Sequence, residues 1–227
     1  MLVKRFGINK EGRDIAVGDI HGHFSYLQRE LNRIKFDPTV DRLFSVGDLV
    51  DRGPENKRAF EWLSYPWFHP VMGNHDHHVA RWDTVESWLG KAGKWFSEAF
   101  NDEEKVMFAA PFQDLPVAIE VETKYGVVGL VHAECPFDDW NTLLERLGPD
   151  QHPRERKLVA NSCMYSRRKF EFKEKDRVQN IRAVVVGHNP VKEVLKLGNT
   201  YFIDTEGWKP RSGKFTLFNL NGLQAMR

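Results

Sequence analysis

The sequence predicts an α/β fold with a mixed sheet or two packed sheets, and three observations carry that prediction. Short apolar runs of strand length repeatedly stop at a glycine, the first of them leads into apolar residues at helical spacing, and strand-like runs crowd the second half of the chain. Asp14 to Val17 reads as a strand ended by Gly18, and Phe24, Leu27, Leu31 and Ile34 then mark one face of a helix. Leu43 to Val46 ends at Gly47 and precedes a helix after Pro54. Phe68 to Met72 ends at Gly73, after which a polar loop is expected. Between Thr84 and Phe112 the spacing of Trp88, Trp95, Phe96 and Phe100, with Pro111 as the breaker, predicts two helices whose aromatic stripe is core. Val117–Val121 and Tyr125–Val131 read as strands, a charged helical middle follows, and Ala183–Val186, Tyr201–Ile203 and Phe215–Leu220 are strands, with Asn221-Gly222 as a turn.

The 227 residues carry no repeat, low-complexity tract or Pro/Gly-rich linker, so a single domain spanning 1–227 is expected. With 41% hydrophobic residues and no long apolar run, the chain can bury a core, and neither disorder nor a membrane span is expected. A formal net charge of +1 argues against a surface built for nucleic acid or anionic lipid. Two cysteines, Cys135 and Cys163, and an N-terminus without a secretory pattern point to a reducing cytoplasm, with the thiols inert. A monomer is expected, although the sequence does not bar an oligomer.

The nine histidines are more informative. Five strand ends carry metal-site residue types: Gly18-Asp19-Ile20-His21-Gly22, Gly47-Asp48-Leu49-Val50-Asp51-Arg52-Gly53, Gly73-Asn74-His75-Asp76, Val131-His132-Ala133 and Gly187-His188-Asn189-Pro190. Oxygen and imidazole donors without cysteine suit a hard-to-borderline divalent ion such as Mn, Fe or Zn, and one carboxylate can bridge two ions. Loops at the carboxyl ends of strands are where sites assemble in open α/β sheets. Neighbouring glycines let the backbone turn sharply and approach closely.

In these motifs and their order the chain resembles the metallophosphoesterases, and within them the serine/threonine-type phosphoprotein phosphatases, most of all the lambda-type bacteriophage enzymes. The likeness extends to Phe44-Ser45-Val46, Pro66-Trp67-Phe68, Trp95-Phe96, Leu115-Pro116, Pro136-Phe137-Asp138 and Tyr201 to Thr205, and so covers nearly the whole chain. It implies a calcineurin-like sandwich of two mixed β-sheets flanked by α-helices. It also implies two divalent metal ions, manganese first with iron or zinc as alternatives. Asp19 and His21 would bind one ion, Asp48 would bridge both, and Asn74, His132 and His188 would complete the second. The implied reaction is direct attack of a metal-bridging hydroxide on phosphoserine or phosphothreonine, and also on phosphotyrosine or phosphohistidine, in phosphorylated protein substrates. His75 is then the general acid with Asp51 as its carboxylate partner, while Arg52, Asn74 and Arg167 hold the phosphate, with Arg168 in reserve for Arg167.

Two departures bear on substrate. Asp76 stands where protein phosphatases usually carry Glu, and Gly-Asn-His-Asp followed by His resembles the symmetrical diadenosine tetraphosphate hydrolases, which makes dinucleoside tetraphosphate hydrolysis the alternative activity. Asp51 before Arg52 favours the phosphatases. The loop from Glu206 to Arg211 is longer and more basic than the family's. A pseudoenzyme that binds phosphorylated partners without turnover is the third reading. Residues 152–182 hold ten Lys/Arg against four Asp/Glu, either a solvated face or an electropositive rim that steers phosphorylated substrates. His69, His77, His78 and His152 read as surface or supporting residues rather than ligands.

Overall fold

A computed structural model describes residues 2–84, 92–209 and 212–226. Its strands form two mixed sheets. Strands β1 (Val3–Phe6), β5 (Ala118–Thr123), β6 (Gly126–Val131), β7 (Ala183–Val186), β9 (Thr200–Phe202) and β8 (Leu195–Leu197) make a six-stranded sheet in that spatial order. Strands β11 (Gln224–Ala225), β10 (Leu217–Asn219), β2 (Asp14–Val17), β3 (Arg42–Ser45) and β4 (Phe68–Pro70) make a five-stranded one. In the second sheet β2, β3 and β4 run parallel while β10 is antiparallel to β2; in the first, β6, β7 and β9 run parallel and β5 opposes β6.

The central strands β2, β3, β6 and β7 are largely apolar because both of their faces are covered. Ala16, Phe44, Val128, Leu130, Ala183, Val185 and Phe218 share one buried layer between the sheets. Their neighbours Ile15, Val17, Leu43, Val184 and Val186 point into the other cluster, against the helices. That cluster takes Phe24, Leu27 and Leu31 from α1 (Phe24–Arg33), Ala59 and Trp62 from α2 (Arg58–Leu63), and Val79 and Ala80 from α3 (Asn74–Ala80). The period of two seen in the strands and the helical spacing of α1 are thus two sides of one packing arrangement.

Where a polar loop was expected after Gly73, the chain enters α3 directly. Asp76 makes that possible: its Oδ2 accepts from the Gly73 amide at 3.0 Å, supplying a partner the first turn otherwise lacks. The predicted helices before Phe112 are α4 (Lys94–Ala99) and α5 (Asp102–Gln113); Trp88 lies outside the described residues. Asn101 and Glu104 cap α5 reciprocally, and Pro111 does not stop it at once: the helix runs two residues further to Gln113, with the Met107 carbonyl losing the amide that a proline lacks. Helices α6 (Trp140–Arg146), α7 (Pro153–Tyr165) and α8 (Arg168–Glu171) form the charged middle, and His152 caps α7 by accepting from the Arg154 amide. Strands β1, β8 and β11 went unread: they are two to four residues long and lie at or next to sheet edges, too short for a periodic signal. No helix among the described residues is long and apolar enough to cross a membrane.

Candidate functional site

All five motifs converge at the carboxyl ends of β2, β3, β4, β6 and β7. Several of their residues adopt left-handed backbone: His21 (φ 43°), Asp48 (φ 55°), Asp51 (φ 70°), Arg52 (φ 65°) and His188 (φ 63°). Such conformations are costly outside glycine and persist where surrounding structure enforces them. The adjacent glycines serve mainly to clear space. Of Gly18, Gly47, Gly73 and Gly187 only Gly47 has positive φ, whereas a Cβ on Gly187 would sit 2.1 Å from Asp19 Oδ1.

Asp48 lies at the centre, almost fully buried. Its Oδ2 is 3.5 Å from His21 Nε2 and 3.9 Å from His75 Nε2, and its Oδ1 is 3.4 Å from His132 Nε2. Its two oxygens therefore face two histidine groups, one of His21 and His75, the other of His132 and His188. Asn74 Oδ1 is 3.0 Å from His132 Nε2. Asp19 stands beside the first group, with Oδ2 3.9 Å from His21 Nε2 and Oδ1 accepting from the His188 amide at 3.1 Å. The structure thus places His75 as near to Asp48 and His21 as a ligand would be, and brings Asp19 in from the side.

These residues fit divalent cations. Nδ1 of His21 donates to Val50 O at 2.7 Å and Nδ1 of His132 to Val46 O at 2.6 Å, which assigns the proton to Nδ1 and turns both Nε2 lone pairs inward. Nε2 of His21, Nε2 of His188 and Oδ2 of Asp204 are buried without a hydrogen-bond partner. Burial pushes the His21 pKa well below its usual value and that of His188 to about 3, His132 and Arg167 adding to the latter, so both rings stay neutral. Burial, with Asp204 and Asp48 nearby, raises Asp19 well above the carboxylate range. Burial also raises Asp204 to about 6. Converging lone pairs and crowded buried carboxylates are what a positive ion relieves.

Beside this centre, Asp51 accepts from His75 Nδ1 at 2.5 Å and from Trp95 Nε1 at 2.6 Å. Burial disfavours the His75 cation, but Asp48 and the hydrogen bond to Asp51 outweigh it and the pKa is raised. Trp95 packs on Phe96, Phe100 and Phe108 as the aromatic stripe predicts, yet its indole nitrogen reaches the site. The Arg52 guanidinium lies 4.3 Å over the Trp208 ring, itself edge-on to His21 at 5.3 Å, so the unusual loop after Thr205 does lean on the site; Pro210 and Arg211 lie outside the described residues. Arg167 donates to Asn189 Oδ1 at 2.7 Å and His188 O at 3.3 Å, whereas Arg168 turns away to pair with Glu174.

Sequence reasoning passed over Asp204, Trp208, Trp95 and Tyr165, whose hydroxyl bridges His77 Nδ1 (2.9 Å) and Asn74 O (3.4 Å). Only Asp204 carried a local signal, its place just past β9. Asp76 is structural: its Oδ1 accepts from the Leu49 amide at 2.8 Å, tying the loop after β3 to α3. The basic run of 152–182 divides, since Lys169 bonds Asp176 O and Arg182 bonds Leu220 O and Asn221 O, while Arg156 and Lys157 have no ion pair among the described residues. Cys135 and Cys163 are buried free thiols, and burial pushes Cys135 up to about 12.

The family described as calcineurin-like phosphoesterase matches residues 15–221. Serine/threonine-protein phosphatase 1 of Salmonella typhimurium is 30% identical over 84% of this chain and 84% of its own. A symmetrical bis(5'-nucleosyl)-tetraphosphatase of Pseudomonas putida is 51% identical over 75 residues, 31% of this chain and 26% of its own. Among solved structures, a candidate diadenosine tetraphosphatase superposes with a TM-score of 0.68 at 20% identity, covering 99% of this chain and 96% of its own, a likeness of fold.

Proposed function

Since the chain belongs to the calcineurin-like phosphoesterase family, we propose that it is a phosphomonoesterase acting on phosphoserine and phosphothreonine in proteins. The observation that carries this reading is the hydrogen bond from His75 to Asp51 beside Asp48, a proton donor held where an alkoxide leaving group needs one. The Salmonella phosphatase, similar over most of both chains, supports the same substrate class.

Asp19, His21 and Asp48 would hold one divalent cation and Asp48, Asn74, His132 and His188 the other, manganese being the proposed metal, and such a pair supplies charge neutralisation and a water acidified toward neutrality. The chain's own groups then do the following. Arg52, held over the Trp208 ring, presents its fork to two phosphate oxygens, and Arg167 approaches from the His188 side. His75 Nε2 gives its proton to the departing serine or threonine oxygen. Asp51 keeps the other ring proton on Nδ1 and stabilises the imidazolium, while Trp95 keeps Asp51 in place.

Hydrolysis of dinucleoside tetraphosphates is the second reading, favoured by the 51% identical segment. Purified protein with added Mn is assayed on phosphopeptides, para-nitrophenyl phosphate and diadenosine tetraphosphate. Higher kcat/KM on phosphopeptides is expected, and a tenfold preference for the dinucleotide overturns the proposal.

A further inference from the structure

Helices α3 and α7 enclose a cavity of about 620 Å³ that no part of the proposed chemistry uses. Both helices come to the site at one end. Asn74 opens α3, Tyr165 closes α7, and the Tyr165 hydroxyl joins them through His77 and Asn74 O. At the far end the character changes. Arg81 follows the last turn of α3, and Arg156 and Lys157 lie near the start of α7, on the face that also lines the cavity with Ala160 and Met164. No ion pair of these three cations occurs among the described residues, Arg156 Nε is buried without a partner, and Asp83 is the one acid on the described wall. The floor is apolar, built of Met72, Leu115 and Met164.

We infer that this groove docks an acidic segment of the phosphoprotein substrate, with a Glu or Asp of that segment seated among Arg81, Arg156 and Lys157. The inference rests on the phosphoprotein reading above and narrows it. Cations with no ion pair among the described residues, set around an apolar floor, complement a carboxylate carried on a chain with apolar neighbours. The geometry also sets the spacing. From Asn74 to Arg81 along α3 is about 10 Å at 1.5 Å per residue. An extended peptide covers that distance in roughly three residues. An acid three or four positions from the phosphorylated residue would therefore meet the cations as the segment crosses the exposed face of Tyr165.

The test uses metal-loaded His75→Asn protein, which should retain bound peptide, and measures Kd by fluorescence anisotropy. Phosphoserine peptides carry Glu or Gln three and four positions before or after the phosphoserine. Glu on one side should bind about tenfold tighter than Gln, a preference that shrinks with added salt. Adding Arg156→Glu and Lys157→Glu should abolish it, while the same pair in the otherwise wild-type enzyme leaves kcat/KM on para-nitrophenyl phosphate within twofold. Absence of any Glu preference overturns the inference, as does its survival in the charge-reversed protein. A loss confined to diadenosine tetraphosphate also overturns it, because the cations would then serve a polyphosphate. Failure of turnover on every phosphopeptide refutes the phosphatase reading, whereas the binding preference answers for the groove independently.

Discussion

The two sheets bring unequal halves to the site. The loops after β2, β3 and β4 supply Asp19, His21, Asp48, Asp51, Arg52, Asn74 and His75, including four residues in left-handed backbone. The loops after β6 and β7 supply His132 and His188, of which only His188 is left-handed. The difference is one of chemistry as well as number. The first half holds the hydrogen-bonded His75–Asp51 pair and the Arg52 fork, whereas the second holds two imidazoles, His132 with Nε2 against Asp48 and Asn74 and His188 with a buried, unpartnered Nε2. On the proposed reading the general acid and the Arg52 fork belong to one sheet, while the other contributes cation ligands and Arg167, and most of the left-handed backbone gathers on the first of these.

Asp48 belongs to both halves, so Asp48→Asn is expected to have the largest effect. Turnover on phosphopeptides should fall about 1,000-fold or more, with bound metal dropping from two ions per chain, as read by kinetics and elemental analysis. Retention of both ions at near-normal turnover would break the comparison. Next, His75→Asn should slow alkyl phosphates about 100-fold or more while sparing para-nitrophenyl phosphate, whose leaving group needs little protonation. His132→Asn should slow both equally and weaken metal binding. Equal losses in the two variants would erase the distinction between halves.

The smallest effect sharpens the contrast with a histidine of the five-stranded sheet outside the site. His69 on β4 packs against Phe6 and Phe44, and burial, with Lys4 and Arg42 nearby, lowers its pKa to about 4. The folded state therefore binds a proton less readily than the unfolded chain. Its contribution is complete above about pH 6.5 and is lost as pH falls from there toward 4. After allowance for its partial exposure the loss is about 2 kcal/mol. Urea unfolding of wild type and His69→Gln across that window should show the acid-side decline reduced in the variant, and parallel curves would refute it.

Much of the site was legible because each motif is local. In four of the five a donor sits within a few residues of a strand-ending glycine, and both signals survive in a one-dimensional reading. The same holds for the apolar runs of β2, β3 and β7, where two covered faces leave a continuous pattern. What went unread depends on residues far apart in the chain. Trp95 reaches Asp51 across 44 positions and Tyr165 reaches His77 across 88, and neither pairing leaves a mark in either local sequence. The extension of the chain into α3 turned on Asp76, read as a marker of substrate but used to cap a helix.

By itself, then, the sequence determined the α/β class, the family resemblance and the donor types, because strand periodicity and ligand chemistry are properties of short stretches. Only the tertiary structure decided that Asp48 faces two histidine groups, that Trp208 underlies Arg52, and that the basic run divides into tied cations and, along a groove, cations with no ion pair among the described residues. Those are relations between loops of different sheets and helices. Their distances are set by how the layers pack, and packing is a cooperative property of the whole core.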